Sequence, residues 1–545
     1  MFRDFMICAA AAAALVLATP CFADNAPTVD APAGIMKGQA EGTLSVFKDI
    51  PYALPPVGTL RWKAPVPIPR WKGVKTATAF GPECFQPESK IASVYTGKSI
   101  PMSEDCLSLN IWAPANAHNA PVLVWIYGGA LWGGSNADPI YDGTQMARRG
   151  IVVVTINYRL GVLGWLAHPE LSAENPLHIS GNYGLLDQIQ ALHWVKDNIA
   201  AFCGNSANVT IAGESAGGLS VMYLMASPEA RGLFAKAIAQ SAYMVSTQEL
   251  RDAKYGAASA EDSGKALAAA LHAPNIAALR AMDPAALTAG AAAALFAPFG
   301  AVDGHVLPRQ LVDVFDKGEQ AHVPILAGFN AGEIRSLRIL SPPPPASAAE
   351  YEKTIRAQYG DLADAFLKLY PASDMQESIW ATTRDALYGW TAERLVRKQT
   401  AIGQPSYLYL FDHGYPAEDN EGLHAFHGSE LPYMFGTTDR TPKLWPKIPA
   451  TREEAKLSDA MLDYWTSFAR AGVPKAANEP DWPIFDSTAG YMHFTDAPHP
   501  ADHLMPGMYS LNEEVMCRRH TTGSIGWNWN VGIVSPPLPP KAGCP

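Results

Sequence analysis

Unbroken apolar runs recur along this chain. Residues 121–127 read Pro-Val-Leu-Val-Trp-Ile-Tyr, 151–156 Ile-Val-Val-Val-Thr-Ile, 209–212 Val-Thr-Ile-Ala and 323–328 Val-Pro-Ile-Leu-Ala-Gly. Runs of this kind, without polar alternation, predict strands buried on both faces. Between the second and third, Leu185, Ile189, Leu192 and Val195 recur at helical spacing within 185–198. Strands alternating with helices predict a mostly parallel sheet with helices on both faces. Residues 25 to 111 read as short strands and turns. The Ala-rich stretch 257–295, broken by Pro274 and Pro284, predicts short helices. The proline run 342–345 predicts a surface loop ahead of a helical region over 349–397. Together these two helical stretches predict a cap beside the sheet. Leu457, Met461, Tyr464, Trp465 and Phe468 share one helix face and predict core packing. Trp527-Asn528-Trp529-Asn530 and the prolines after it suggest no chemistry.

Composition narrows this picture. The chain has 545 residues, 48% hydrophobic and 17% charged, which is enough apolar material for one large core. A net charge of −11 argues against nucleic acid and anionic membrane surfaces as partners. Arg3, the apolar run 6–18 and Cys21-Phe22-Ala23 predict a signal peptide over 1–23, cleaved after Ala23, with one domain over 24–545. Pro20 stands where a lipoprotein signal would carry a small residue. No later run is long enough to span a bilayer. The chain is therefore expected to be exported, to the periplasm or beyond, where disulfides are permissible. Of the cysteines past Ala23, Cys84 and Cys106 would close a short loop, and Cys517 and Cys544 would staple the Pro-rich tail. Cys203 is left over and is expected to be a buried, inert thiol. No Cys or His cluster suggests a metal site.

Candidate chemistry centres on Gly213-Glu214-Ser215-Ala216-Gly217, with an apolar strand before it and a helix-like segment, 218–225, after it. In that context G-x-S-x-G forms a sharp turn that lifts the serine out of the sheet. A serine hydroxyl needs a base, and the base needs an acid that fixes its tautomer. Downstream, Glu333 follows the 323–328 strand, where ligand-facing residues of parallel sheets lie. Asp303 and Asp313 are the alternatives. His427 is the expected base, with His424 as the competing neighbour. Amide donors for a developing oxyanion would come from Ala216 and from the glycine-rich loop Tyr127-Gly128-Gly129-Ala130, immediately after the 121–127 strand. Trp132, just beyond, is expected to border the substrate pocket.

With these pieces assembled, the chain resembles the type-B carboxylesterase and cholinesterase family from about Gly42 to Phe485. The motifs are Phe47-Lys48-Asp49-Ile50-Pro51-Tyr52-Ala53 with Pro55-Pro56-Val57-Gly58 and Arg61; Glu104-Asp105-Cys106-Leu107 with Leu109-Asn110; Asn157-Tyr158-Arg159-Leu160-Gly161; and Gly181-Asn182, Gly184-Leu185 and Asp187-Gln188, followed by the serine turn. The resemblance implies an α/β hydrolase fold: a central, mostly parallel sheet flanked by helices, with helical insertions. It places Ser215, Glu333 and His427 on the family's triad positions and Gly129, Ala130 and Ala216 on its oxyanion-hole amides. It pairs Cys84 with Cys106. It also matches Glu214 and Glu430 to an acidic pair behind the triad, expected to orient water and steady His427.

The chain departs from the family in four places. Ala130 ends the glycine triplet, Ile334 follows the acid, and Cys203 replaces a glycine. The 84–106 loop has Phe85 and Tyr95 but no tryptophan, so the platform for choline is missing. The same loop carries Lys90 and Lys98, which leave an acidic ester open. The expected activity is hydrolysis of a small carboxylic ester through an acyl-enzyme, without a cofactor. Lipase and amidase action on the same fold, and a non-catalytic adhesion role, are the alternatives.

Overall fold

A computed structural model describes residues 26–88, 92–98, 100–541 and 543–544; the expected signal peptide and Lys90 lie outside these. The main sheet has eleven strands. In chain order they are β1 (Gln39–Glu41), β2 (Leu44–Pro51), β3 (Ser108–Pro114), β4 (Ala120–Ile126), β5 (Val152–Ile156), β6 (Gly204–Glu214), β7 (Lys236–Gln240), β8 (Ile325–Asn330), β9 (Ser406–Phe411), β10 (Gly490–Phe494) and β11 (Pro498–Asp502). They lie side by side in the order β11-β10-β9-β8-β7-β6-β4-β5-β3-β2-β1. From β10 across to β5 every neighbouring pair is parallel; the outer strands pair antiparallel. This is the α/β hydrolase architecture that the apolar runs and the resemblance predict.

The central strands are apolar throughout because both of their faces are covered. Val122, Val124 and Ile126 of β4 enter one core, and Leu123 and Trp125 enter the other. The helical stripe at 457–468 falls within α4 (Arg452–Ala471), and its five named residues are all buried. Thr451 caps that helix by accepting from the amide of Glu454, which satisfies one of its orphan N–H groups. Of the other long helices, α1 (Tyr183–Asn198) and α2 (Ala216–Ala226) precede and follow β6, and α3 (Trp390–Ala401) precedes β9. Every residue of α2 is buried, including Ser220, whose Oγ accepts from Gln188 Nε2 at 3.0 Å. The Ala-rich stretch forms three short helices, Ala260–Ala270, Ile276–Arg280 and Pro284–Ala293, packed around Trp62, Val162 and Leu163.

Strand order decides where a ligand can sit. The chain goes from β4 to β5 on one side, then returns to place β6 on the other side of β4. The loops leaving β4 and β6 therefore diverge, and a crevice opens between them at the carboxyl ends of the strands. Ile126 pairs with Gly213, so the glycine-rich turn and the serine turn start level with each other.

Two disulfides lie among the described residues. Cys84–Cys106 closes its loop and Cys517–Cys544 ties the tail. Cys203 is buried. Among the described residues no helix is long and apolar enough to cross a membrane.

One buried ion pair locks α1 to the segment after β5. The Arg159 amide, Nε and Nη2 all donate to the Asp187 carboxylate, at 3.0, 2.8 and 2.7 Å. Removing one partner strands the other charge in a dry interior. Asp187→Asn is expected to cost about 3–5 kcal/mol, read as a lowered urea midpoint by tryptophan fluorescence. An unchanged midpoint would mean that the pair does not hold the fold.

Candidate active site

Ser215 sits between β6 and α2 with φ 56° and ψ −121°, a conformation that costs a non-glycine residue free energy. Its neighbours hold it there. The Ser215 amide donates to the Gln240 carbonyl at 2.9 Å. Gly217 lies so close to the end of β4 that a Cβ on it would stand 2.0 Å from the Ile126 carbonyl oxygen. The serine turn is thus pressed between its own strand and the next, and the α2 N-terminus points into the crevice.

The turn after β4 is equally constrained. Gly129 has φ +104°, and Ala130 and Leu131 adopt left-handed conformations at φ 55° and 60°. Gly129 accepts from the amides of Trp132 and Gly133 at 2.9 and 3.0 Å, which curls the loop back on itself. Among the described residues, the N–H groups of Gly129, Ala130 and Ala216 donate to no other backbone carbonyl. Ala216 is the first residue of α2, where N–H groups have no partner within the helix.

Glu333 and His427 arrive from β8 and from the loop after β9. The Asn330 amide donates to Glu333 Oε1 at 2.9 Å, and Asn330 Nδ2 donates to the Phe426 carbonyl at 2.8 Å. The Gly332 amide donates to the Ala425 carbonyl at 3.0 Å. These bonds clamp the two loops together, and His427 Nδ1 pairs closely with Glu333 Oε2. His427 Nε2 lies 3.1 Å from Glu214 Oε1, and Ser215 Oγ makes no hydrogen bond to His427 in this structure.

Behind the imidazole, Glu430 accepts from Gln240 Nε2 at 2.9 Å and from Asn330 Nδ2 at 2.6 Å. Burial pushes the Glu214 and Glu430 carboxyls well above the usual carboxylate range, and each is raised further by neighbouring carboxylates. Burial alone would lower the His427 pKa. The Glu214, Glu333 and Glu430 carboxylates outweigh it and hold the imidazolium above its ordinary value. An imidazole and carboxyls this close share protons and titrate as a unit.

The alternative residues face elsewhere. His424 lies half-exposed between Asp419 and Asp412, 2.7 Å and 3.3 Å from their oxygens, and these bonds raise its pKa to about 9. Asp303 accepts from Asn182 Nδ2 at 3.0 Å and from the amides of His305 and Leu307. Asp313 pairs with His520 at 3.2 Å.

Ser215, Glu214 and His427 open onto a cavity of about 520 Å³. Gly129 and Ala130 line it beside them, and so does Asp138, whose carboxyl burial also pushes up. Trp132 does not line this cavity, which corrects its expected place at the pocket border. Its ring packs edge-on to Phe296, with centroids 6.2 Å apart, among the short Ala-rich helices. The aromatic walls come instead from Tyr95, Tyr141, Tyr243, Tyr388, Trp445 and Trp529. Tyr95, on the disulfide-closed loop, donates to the His427 carbonyl at 2.8 Å. Tyr388 lies in a π-helical turn over Asp385–Gly389, directly before α3, and its ring is 5.2 Å from that of His427. Such turns recur at functional sites because they re-aim a side chain. No spacing pattern marks these aromatics in the sequence. A π-turn is visible only in the backbone, and the other rings lie on separate loops.

Residues 25–510 match the sequence pattern of the carboxylesterase family. The chain belongs to that family. This carboxylesterase is 36% identical over 478 residues to the fumonisin B1 esterase of Sphingopyxis macrogoltabida, covering 85% of each chain. It is 36% identical over 463 residues to the para-nitrobenzyl esterase of Bacillus subtilis (strain 168), covering 83% of this chain and 91% of that one. Among solved structures, a PNB esterase superposes with a TM-score of 0.77 at 32% identity, covering 89% of this chain and 99% of the other. A carboxylesterase of Geobacillus stearothermophilus superposes with a TM-score of 0.73 at 31% identity and the same coverage.

The close approach of Gly217 to β4 makes a stability prediction for this carboxylesterase. Gly217→Ala must push α2 away from Ile126, so its urea midpoint should drop by the equivalent of about 1–3 kcal/mol, the usual cost of overpacking. A midpoint equal to the parent's would show that the contact yields freely.

Proposed function

We propose that this carboxylesterase cleaves its ester through Ser215, His427 and Glu333, by way of an acyl-enzyme. The observation that carries this reading is their convergence: a strained serine and a carboxylate-paired histidine open onto one cavity beside three N–H groups that, among the described residues, donate to no backbone carbonyl. His427 Nε2 takes the Ser215 Oγ proton as Oγ bonds to the ester carbonyl carbon. The oxyanion rests on the amides of Gly129, Ala130 and Ala216, and the α2 N-terminus adds its dipole. Collapse breaks the carbon–oxygen bond to the alcohol, which leaves with the proton from His427. Water then repeats the sequence on the acyl-enzyme and frees the acid. Glu333 holds the imidazole in the required tautomer. At rest His427 Nε2 faces Glu214, so its bond to Ser215 forms as substrate enters, as apo geometries often require.

The aromatic walls offer faces for stacking, and among the described residues no Lys or Arg lines the cavity to pair with an anionic group. Both features support a neutral ester with an apolar or aryl group, the kind of ester that the name of the para-nitrobenzyl esterase relative describes. The signal-like N-terminus and the two disulfides support export to the periplasm or beyond.

Two measurements test the mechanism. Ser215→Ala should lower kcat on p-nitrophenyl butyrate roughly 10⁴-fold or more, since triad members act as a unit. Turnover at the parent's rate would exclude Ser215 as nucleophile. The base must be neutral to act, and surrounding carboxylates favour its charged form. The acidic limb of kcat/KM should therefore lie above the ordinary imidazole value of about 6.5. Glu214→Gln removes the largest of those influences and should move the limb to lower pH. A limb that stays in place would mean that Glu214 does not govern the base.

A further inference from the structure

The family match ends at residue 510, yet a residue beyond it lines the cavity. That residue is Trp529, in the Trp-Asn-Trp-Asn segment whose composition suggests no chemistry. We propose that the segment 526–530 is a specificity element that presents Trp529 to the ester as a fixed aromatic wall, selecting substrates with a bulky apolar arm. This inference rests on the assignment of Ser215 as nucleophile.

The backbone of the segment is held by a buried cation. The last long helix, α5 (Met508–Thr522), carries Arg519, whose guanidinium is fully buried. Arg519 Nη1 donates to the carbonyls of Gly526, Trp527 and Trp529 at 3.2, 3.2 and 2.9 Å. Its Nη2 donates to the Asn530 carbonyl at 3.0 Å and to Ser535 Oγ at 2.7 Å. One cation thus gathers the carbonyls of a whole turn, and such charge-assisted bonds are about twice as strong as neutral ones. The Cys517–Cys544 disulfide joins the same helix to the far end of the tail.

The two side chains that precede the wall point inward. Trp527 is buried and donates from Nε1 to the Met244 carbonyl at 2.8 Å. Asn528 is buried and donates from Nδ2 to the Ala386 carbonyl at 2.7 Å, in the π-helical turn that carries Tyr388. The tail and the Tyr388 turn are therefore positioned as one piece. Trp529 turns outward instead: it is 36% exposed and lines the cavity. Ile339, 93% exposed, lines the same cavity. A large apolar side chain held in water by a rigid backbone is preorganised to bury itself against a ligand, with little ordering left to do on binding. A short ester that fills only the space beside Ser215 gains nothing from it.

The test compares Trp529→Ala and Trp529→Phe with the parent on methyl and benzyl butyrate, and on p-nitrophenyl acetate and octanoate. Labelling of Ser215 by an organophosphate at the parent's rate reports an intact catalytic centre. The alanine variant should lose roughly 10-fold in kcat/KM on benzyl butyrate, on the octanoate, or on both, the scale on which apolar pockets discriminate. It should stay within about twofold on methyl butyrate, which carries no bulky arm on either side. The phenylalanine variant, which keeps a ring, should recover most of the loss. Equal losses on small and large esters, or large-to-small ratios unchanged in both variants, would overturn the proposal. If the alanine variant does not take up the label, the ratios in the phenylalanine variant decide: a parent-like preference supports the wall, and a lost one refutes it. Parent activity that survives Ser215→Ala would instead overturn the assignment of the nucleophile, a result separate from any of these.

Discussion

The site depends on how tightly the serine turn is pressed against the end of β4. Gly217 leaves no room for a Cβ beneath the Ile126 carbonyl, and the same closeness holds Ser215 in a backbone conformation that it would not adopt alone. The crossing of the chain at β4 makes this possible. Because β5 and β6 flank β4 on opposite sides, the loops leaving β4 and β6 separate and the crevice forms between them. Strain at Ser215 and the aim of the α2 N-terminus into the crevice both follow from this packing.

The second organising feature is electrostatic. Glu214, Glu333 and Glu430 surround His427 in a space largely without water, and three ionised carboxylates there would be prohibitively costly. Glu214 and Glu430 hold their protons to higher pH than isolated carboxyls do, and the surrounding carboxylates favour a positive imidazole. Asn330 and Gln240 tie Glu430 in place, and Asn330 also joins the Glu333 and His427 loops, so charge and position are set by the same few amides. The imidazolium that ester cleavage would require is thus favoured before any substrate arrives.

The walls are built from distant parts of the chain. Tyr95 comes from the loop closed by Cys84–Cys106, Tyr388 from a π-helical turn, and Trp529 from a tail gathered by Arg519. Ser215 and Glu333 follow the ends of strands β6 and β8, whereas these walls sit on loops and turns between elements. That division suits a scaffold that keeps one reaction and changes its substrate.

The sequence alone determined the layered α/β fold, because strands covered on both faces must be continuously apolar and the helix between them must repeat near every fourth residue. It also made Ser215 and its flanking glycines legible, since a sharp strand-to-helix turn permits few residues. Glu333 and His427 could be picked out only with competitors, and it was tertiary placement that set His424 between Asp412 and Asp419 and brought His427 beside Glu333. The pocket was not legible at all. Trp132 follows the oxyanion-type turn in sequence but packs into the Ala-rich helices, while Trp529, hundreds of residues away, lines the cavity. Periodicity and turn chemistry are local and survive in one dimension; a cavity wall is a sum of long-range contacts, and only the folded chain brings them together.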